Sequence, residues 1–330
     1  MQKLIFVEII GLDILMKKYK LSILIPSNNE MFLKNTVEDI LKHKEDDTEI
    51  IVGLDGSWAN PPLENHPDVK IFFSPEPIGQ RAMTNQCARL SHARFLMKVD
   101  AHCAFDQGFD RKMLDFFKEV GDDIVAVPVM RNLHAFNWKC PDGHTRYQSP
   151  SGVCVECQKP TERDVVWISK TNPQSTSYCF DKEPHFQYFR EYTNTKEYKE
   201  MKEKFNYTES MSLQGSLFMS TRHNYWKYQL CDERAGSWGN QGVEVACAAW
   251  LSGLRVLVNH KTWYAHMFRT QGGDFGFPWQ ARESEIQKTK KYIKDKFWNK
   301  KHPKQIHSVK WLVEKFASKG WSAEEIDKLK

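Results

Sequence analysis

Arg94-Phe95-Leu96-Met97-Lys98-Val99-Asp100-Ala101-His102 ends an apolar run on an aspartate and, two residues later, a histidine. Large and β-branched apolar residues held between polar ones read as a strand. A strand puts residues i and i+2 on one face, so Asp100 and His102 can aim a carboxylate oxygen and an imidazole nitrogen at one ion. They would do so at the carboxyl end of the strand, where open α/β sheets bind ligands. An oxygen-plus-nitrogen pair suits Mn²⁺ better than Mg²⁺. A cation held there would bridge phosphates and stabilise the charge on a departing diphosphate. The plainer alternative, a strand-ending aspartate beside a surface histidine, is outweighed by the surrounding sequence.

Upstream, Leu21-Ser22-Ile23-Leu24-Ile25-Pro26 reads as a buried strand ended by proline, followed by Ser27-Asn28-Asn29-Glu30 and a helix carrying Phe32, Val37, Ile40 and Leu41. Glu49 to Leu54 is a second strand with Asp55 at its tip, and Val69 to Phe73 a third. Ile78 to Ala93 is a polar-faced helix carrying Arg81 and Asn85. Strands alternating with helices imply parallel pairing in a doubly wound sheet. Three strand tips then carry polar residues, Asn28, Asp55 and Asp100, as expected for a nucleotide laid across the carboxyl edge. Ile124 to Val129 adds a further strand. Residues 131 to 185 show little periodicity. The later part resumes with the apolar run Ser212 to Ser220, the loop Gly236-Ser237-Trp238-Gly239-Asn240-Gln241-Gly242, a helix Val243 to Leu251 and a strand Arg255 to Val258. Trp263-Tyr264-Ala265-His266-Met267-Phe268-Arg269 leads into a glycine-rich loop, Gly272 to Trp279.

Composition bounds the rest. Over 330 residues, 41% hydrophobic and 13% aromatic content suffice for a packed core and leave no disordered tract. The stretch Leu4 to Leu15 is apolar but carries Glu8 and Asp13; it reads as a poor signal peptide, too short for a membrane span. The net charge of +5 is uneven, because from Gln280 onward fourteen Lys or Arg face seven Asp or Glu. Lys288 to Trp298 reads as an amphipathic helix with a basic face, usually a solvated feature and sometimes a contact for a polyanion.

Eight cysteines are present. Cys140-x3-His144-x9-Cys154-x2-Cys157 offers four ligands at spacings suited to tetrahedral, structural Zn²⁺. The others lie scattered in apolar segments, which fits reduced thiols in the cytoplasm. An insertion so poor in apolar residues needs a staple to order itself.

Leu24-Ile25-Pro26-Ser27-Asn28-Asn29-Glu30, Ile50 through Ser57 and Asp100-Ala101-His102 resemble the nucleotide-sugar half of GT-A glycosyltransferases. The second half resembles the polypeptide N-acetylgalactosaminyltransferases in its Trp-Gly loop with a glutamate-bearing helix and its His-x-Phe-Arg motif before a glycine-rich loop. The resemblance implies an α/β GT-A fold, a Rossmann-like, mostly parallel sheet with helices on both faces, to which this chain would add a small zinc-stapled insertion and a C-terminal helical segment. Together the readings divide the chain into a peripheral segment 1–20, a nucleotide-sugar half 21–130, a zinc-binding insertion 131–185, an acceptor half 186–279 and a basic helical tail 280–330.

Carried over by motif, Asp100, His102 and His266 match the family's Mn²⁺ ligands. Pro26, Asn28, Asp55, Arg81, Asn85 and Asp100 fall at donor-binding positions, although the first aspartate of the family's strand-two pair is Leu54 here. Trp238 matches the tryptophan of the Trp-Gly-Gly-Glu loop. Gln241 stands where that loop has glutamate, and Glu244 matches a second glutamate one turn on. Inverting transfer needs a carboxylate base, so Gln241 favours retention, with Glu244 the alternative base. Gly272 to Trp279 would be the lid. The cysteine cluster, absent from that family, resembles a short phage-type zinc knuckle.

The function expected is transfer of a sugar from a nucleotide diphosphate, a UDP-sugar first, to a hydroxyl acceptor in the cytoplasm. The basic tail and knuckle point to hydroxymethylated phage DNA in an infected host. Protein and cell-surface glycan acceptors stay open. A rival reading is a nucleic-acid-binding protein on an inactive transferase scaffold, against which the intact Asp100, His102 and His266 argue.

Overall fold

The computed structural model describes residues 18–173, 175–268, 283–318 and 320–329. The strands are β1 (Leu21–Ser27), β2 (Thr48–Asp55), β3 (Val69–Ser74), β4 (Phe95–Val99), β5 (Cys103–Phe105), β6 (Ile124–Lys139) and β7 (Thr145–Tyr147). They continue with β8 (Glu162–Ser169), β9 (Tyr178–Phe180), β10 (Phe186–Tyr188), β11 (Tyr207–Glu209), β12 (Leu217–Thr221) and β13 (Arg255–His266). The helices are α1 (Leu33–His43), α2 (Gln80–Leu90), α3 (Phe109–Val120), α4 (Arg190–Thr193) and α5 (Lys196–Phe205). After them come α6 (Arg222–Lys227), α7 (Gln241–Leu251), α8 (Glu283–Ile293), α9 (Val309–Phe316) and α10 (Ala323–Asp327).

The main sheet runs β11-β13-β6-β12-β4-β1-β2-β3. Its β4-β1-β2-β3 half is parallel, as the alternation of strands and helices predicts. Every residue of β1 and β2 is buried, which a strand covered on both faces requires. One face packs Leu24, Ile51, Met83 and Leu96 against α2, α7 and α9. The other packs Ile23, Ile25 and Met97 against Val37 and Ile40 of α1 and Met113 and Phe117 of α3. The sheet is mixed rather than parallel throughout. β12 lies antiparallel between β4 and β6, and that insertion brings the second half of the chain beside Asp100.

The structure adds detail to two of these segments. Residues 131 to 185 are not irregular: β6 runs unbroken to Lys139 and carries β7 and β8 as an antiparallel hairpin arm. Periodicity fails there because the arm faces solvent on much of both surfaces, so alternation is weak. The described part of the segment after Gln280 is helical and packs on the rest of the protein. Val309, Leu312, Val313 and Phe316 join the same core as α7. Several of its charges are paired. Lys296 pairs with buried Asp232 at 2.7 Å and Lys294 with Glu183 at 2.8 Å, while Lys291 pairs with Asp295. No described helix is long and apolar enough to cross a membrane.

Candidate active site

β4 ends at Val99, and the next turn places Asp100 and His102 at the carboxyl edge of the sheet. β13, parallel to β6, ends on His266 beside them. His102 Nε2 lies 3.0 Å from His266 Nε2, and Asp100 Oδ2 lies 3.5 Å from His266 Nε2 and 3.9 Å from His102 Nε2. Donors bonded to one ion at about 2.1 Å sit roughly 3.0 Å apart at right angles and about 3.5 Å apart at tetrahedral angles. The three atoms therefore fit one cation.

The electrostatics agree. Two imidazole nitrogens facing each other at 3.0 Å can share either a proton or a cation between them. Burial pushes His266 down to about 4, against the pull of Asp100, so at neutral pH it is an uncharged ligand. Burial alone would raise Asp100, but Lys98 and the two histidines outweigh it and hold the carboxylate ionised well below its ordinary range.

Three partners of the triad were not singled out in the sequence. Glu30 Oε2 lies 3.3 Å from His102 Nδ1, the outer nitrogen, where a carboxylate fixes the tautomer of a ligating imidazole. Lys98, wholly buried, donates to Asp100 Oδ1 and to the Gly215 carbonyl at 2.8 Å. Gln80 Nε2 approaches Asp100 Oδ1 at 3.3 Å. Lys98 had a legible signal, since it stands two residues before Asp100 on the same strand face. Glu30 had none, because only the fold brings the loop after β1 to β5.

Beside Asp100 opens a cleft of about 240 Å³ lined by Gln80, Gly215, Ser216, Trp238 and Gln241 among others. Its wall depends on glycine. A Cβ on Gly242 would collide with the Leu213 carbonyl and come within 2.9 Å of the Gly215 nitrogen, so only glycine lets α7 start this close to the 213–215 loop. A larger cavity of about 920 Å³, lined by Arg94, Asp122, Arg222 and Trp226 among others, contains none of the triad.

Residues 22–164 match the family described as Glycosyl transferase family 2. GalNAc-T7, solved with UDP, GalNAc and Mn²⁺, aligns over 90% of this chain with a TM-score of 0.66 at 16% identity. The fold is GT-A. S. aureus TarS 1–349, solved with UDP-GlcNAc, aligns over 90% of the chain and 71% of its own, with a TM-score of 0.53 at 12% identity. The chain spans 57% of the length of GalNAc-T7. No curated protein matches it.

On this GT-A frame the other expected residues divide. Trp238 and Gln241 line the cleft with Asp100. Gln241 Nε2 donates to Cys231 Sγ at 3.3 Å, and its Oε1 is buried without a hydrogen bond. Asn28 is half-buried in the loop after β1, and Pro26 is buried within β1. Asp55 is fully buried, accepting from the amides of Ile78 and Gly79 at 2.7 and 2.9 Å, so it fixes the entry to α2.

Arg81 and Asn85 do not reach the cleft. The Arg81 side chain has no exposed surface; its guanidinium donates to Glu244 at 2.7 Å and to the carbonyls of Gly236 and Gly239. Asn85 bonds the Cys231 carbonyl, Glu233 and the Tyr225 hydroxyl. Both stitch α2 to the 231–239 loop, because their helix turns that face inward. Glu244 is no free base either, since its second oxygen accepts from the Asp232 amide at 2.8 Å. The glycine-rich loop Gly272 to Trp279 lies outside the described residues.

The cysteine cluster forms. Cys140 Sγ and Cys154 Sγ each lie 3.6 Å from His144 Nδ1, and Cys157 Sγ lies 3.6 Å from Cys140 Sγ. Tetrahedral zinc with bonds of about 2.0–2.3 Å places its ligands roughly 3.5–3.8 Å apart. The amides of Cys157 and Glu156 point at Cys154 and pull its thiol down to about 7, towards the thiolate that zinc takes. Glu156 lies 3.4 Å from the outer nitrogen of His144. The donor set and geometry suit zinc.

Proposed function

We propose that the protein is a metal-dependent glycosyltransferase that moves a sugar from a UDP-sugar to a hydroxyl acceptor. The convergence of Asp100, His102 and His266 at the carboxyl edge, beside the Trp238–Gln241 cleft, carries this reading. When bound, Mn²⁺ would neutralise the diphosphate leaving group. Glu30 and Lys98 would hold the ligands in place. Trp238 would pack against the sugar, and Gln241, with its buried Oε1 unsatisfied, would accept a hydrogen bond from a sugar or acceptor hydroxyl. The UDP and UDP-GlcNAc of the two structural relatives support a uridine donor.

Retention is the stereochemistry we propose. Gln241 is an amide, and Glu244 is buried in its pair with Arg81, so neither residue supplies the free carboxylate that inversion requires. The basic segment gives the DNA acceptor less support than its charge count suggests, because Lys296 is buried against Asp232 and Lys294 pairs with Glu183. The acceptor proposed is therefore a hydroxyl on a protein or glycan, with hydroxymethylated duplex as the third substrate to assay.

The test is UDP-sugar hydrolysis and transfer with and without Mn²⁺, in the wild type and in Asp100→Ala. Metal-dependent turnover confined to the wild type is the expected result. No difference between the two proteins would identify an inactive scaffold. Transfer to duplex that falls steeply with salt would restore the nucleic-acid reading.

A further inference from the structure

One strand, β6, links the zinc-type cluster to the cation-type triad. On β6, Asn132 is the register partner of His266 on β13; seven residues later Lys139 leads into Cys140. Between them Leu133, Ala135, Phe136 and Trp138 are buried in a small core of their own. That core also takes Ala265 and Met267, the residues on either side of His266, together with Ala104 and Phe32. The backbone of the third ligand is thus packed by the stem of the hairpin arm.

The knuckle loop grips this stem directly. Gln148, buried and lying between His144 and Cys154 in sequence, donates to the Leu133 carbonyl at 2.9 Å and accepts from the Ala135 amide at 2.7 Å. Trp138 Nε1 donates to the Ser149 carbonyl at 2.8 Å. From the other side, the Lys170 amide donates to the Asn132 carbonyl at 2.8 Å, next to the pairing of Leu133 with Ser169. The loop has little apolar burial with which to hold its own shape, as Val153 is 50% and Val155 74% exposed. Closure through Cys140, His144, Cys154 and Cys157 around an ion would add the staple it lacks.

We propose that this Cys₃His cluster, holding zinc, is a positioning device for His266, locking the hairpin stem against β13 and so setting the cation affinity of the Asp100/His102/His266 site. The inference rests on reading that triad as a cation site. It assigns the knuckle a partner inside the protein rather than a nucleic acid. Support of this kind resembles an outer-shell contact to a metal ligand, whose loss typically weakens metal binding by about 10–100-fold.

The experiment is a Mn²⁺ titration followed by electron paramagnetic resonance, with zinc content measured on the same samples. Manganese is a poor partner for thiolates, so the titration reads the Asp/His/His site alone. Cys154→Ser/Cys157→Ser should lose its zinc and bind Mn²⁺ at least about tenfold more weakly. His144→Cys, which keeps four zinc ligands, should retain zinc and stay within about twofold of wild type. Should the double variant fail to fold, zinc is withdrawn from the folded wild type with a chelator, the chelator is dialysed away and the titration is repeated. Equal Mn²⁺ affinity with and without zinc overturns the proposal while leaving the triad intact. A wild type that binds Mn²⁺ but no zinc also overturns it. A wild type that binds no Mn²⁺ overturns the reading of the triad and this inference together.

Discussion

His102 Nε2 and His266 Nε2, 164 positions apart in sequence, face each other at 3.0 Å with Asp100 Oδ2 beside them. Removing any one of the three should abolish cation binding, and because both histidines are buried the melting temperature of each variant is read alongside. A ligand that binds only the folded state raises the melting temperature. Mn²⁺ should therefore raise it for the wild type and leave it unchanged in Asp100→Asn, His102→Ala and His266→Ala. Donor hydrolysis should fall by at least about a hundredfold in each variant.

Arg81 and Glu244 form a fully buried ion pair at 2.7 Å. Breaking such a pair by removing one partner typically costs about 3–5 kcal/mol. Glu244→Gln should therefore melt several degrees below wild type in calorimetry. A general base would behave otherwise, with kcat collapsing at unchanged stability.

Gly242→Ala should damage the cleft, because its Cβ has no space beside the Leu213 carbonyl. Overpacking of this kind costs about 1–3 kcal/mol. The expected outcome is a lowered melting temperature together with a raised KM for the sugar donor, since the displaced loop carries Gly215 and Ser216.

Acid sensitivity should come partly from buried neutral histidines. Burial, aided by Lys296, pushes His302 down to about 4, and its Nε2 lies 3.1 Å from the Ser252 hydroxyl. The unfolded chain, with an ordinary pKa near 6.5, then binds more protons than the folded one. Stability conferred by the neutral form is complete above about 6.5 and is lost as pH falls through about 4, by roughly 3 kcal/mol at most. His260 and His266 are pushed down to about 4 as well. His302→Asn should flatten, without abolishing, the decline in stability between pH 6.5 and 4 in denaturant titrations.

Local pattern determined a good deal of this protein. The β1, β2, β3 and β4 strands, the polar tips at Asn28, Asp55 and Asp100, and the Cys140–Cys157 spacing are each written in a few consecutive residues, because strand alternation, turn chemistry and ligand spacing act over short distances. Three things belonged to the tertiary structure. The inward turn of α2 made Arg81 and Asn85 braces of the 231–239 loop, since a helix face is chosen by what packs on it. The antiparallel entry of β12 beside β4 brought Lys98, Gly215 and the Trp238 loop to Asp100. The burial of Lys296 against Asp232, and of α9 against α7, turned a basic tail into part of the core. In each case the deciding interaction joins residues far apart in the chain, and no local window of sequence contains both partners.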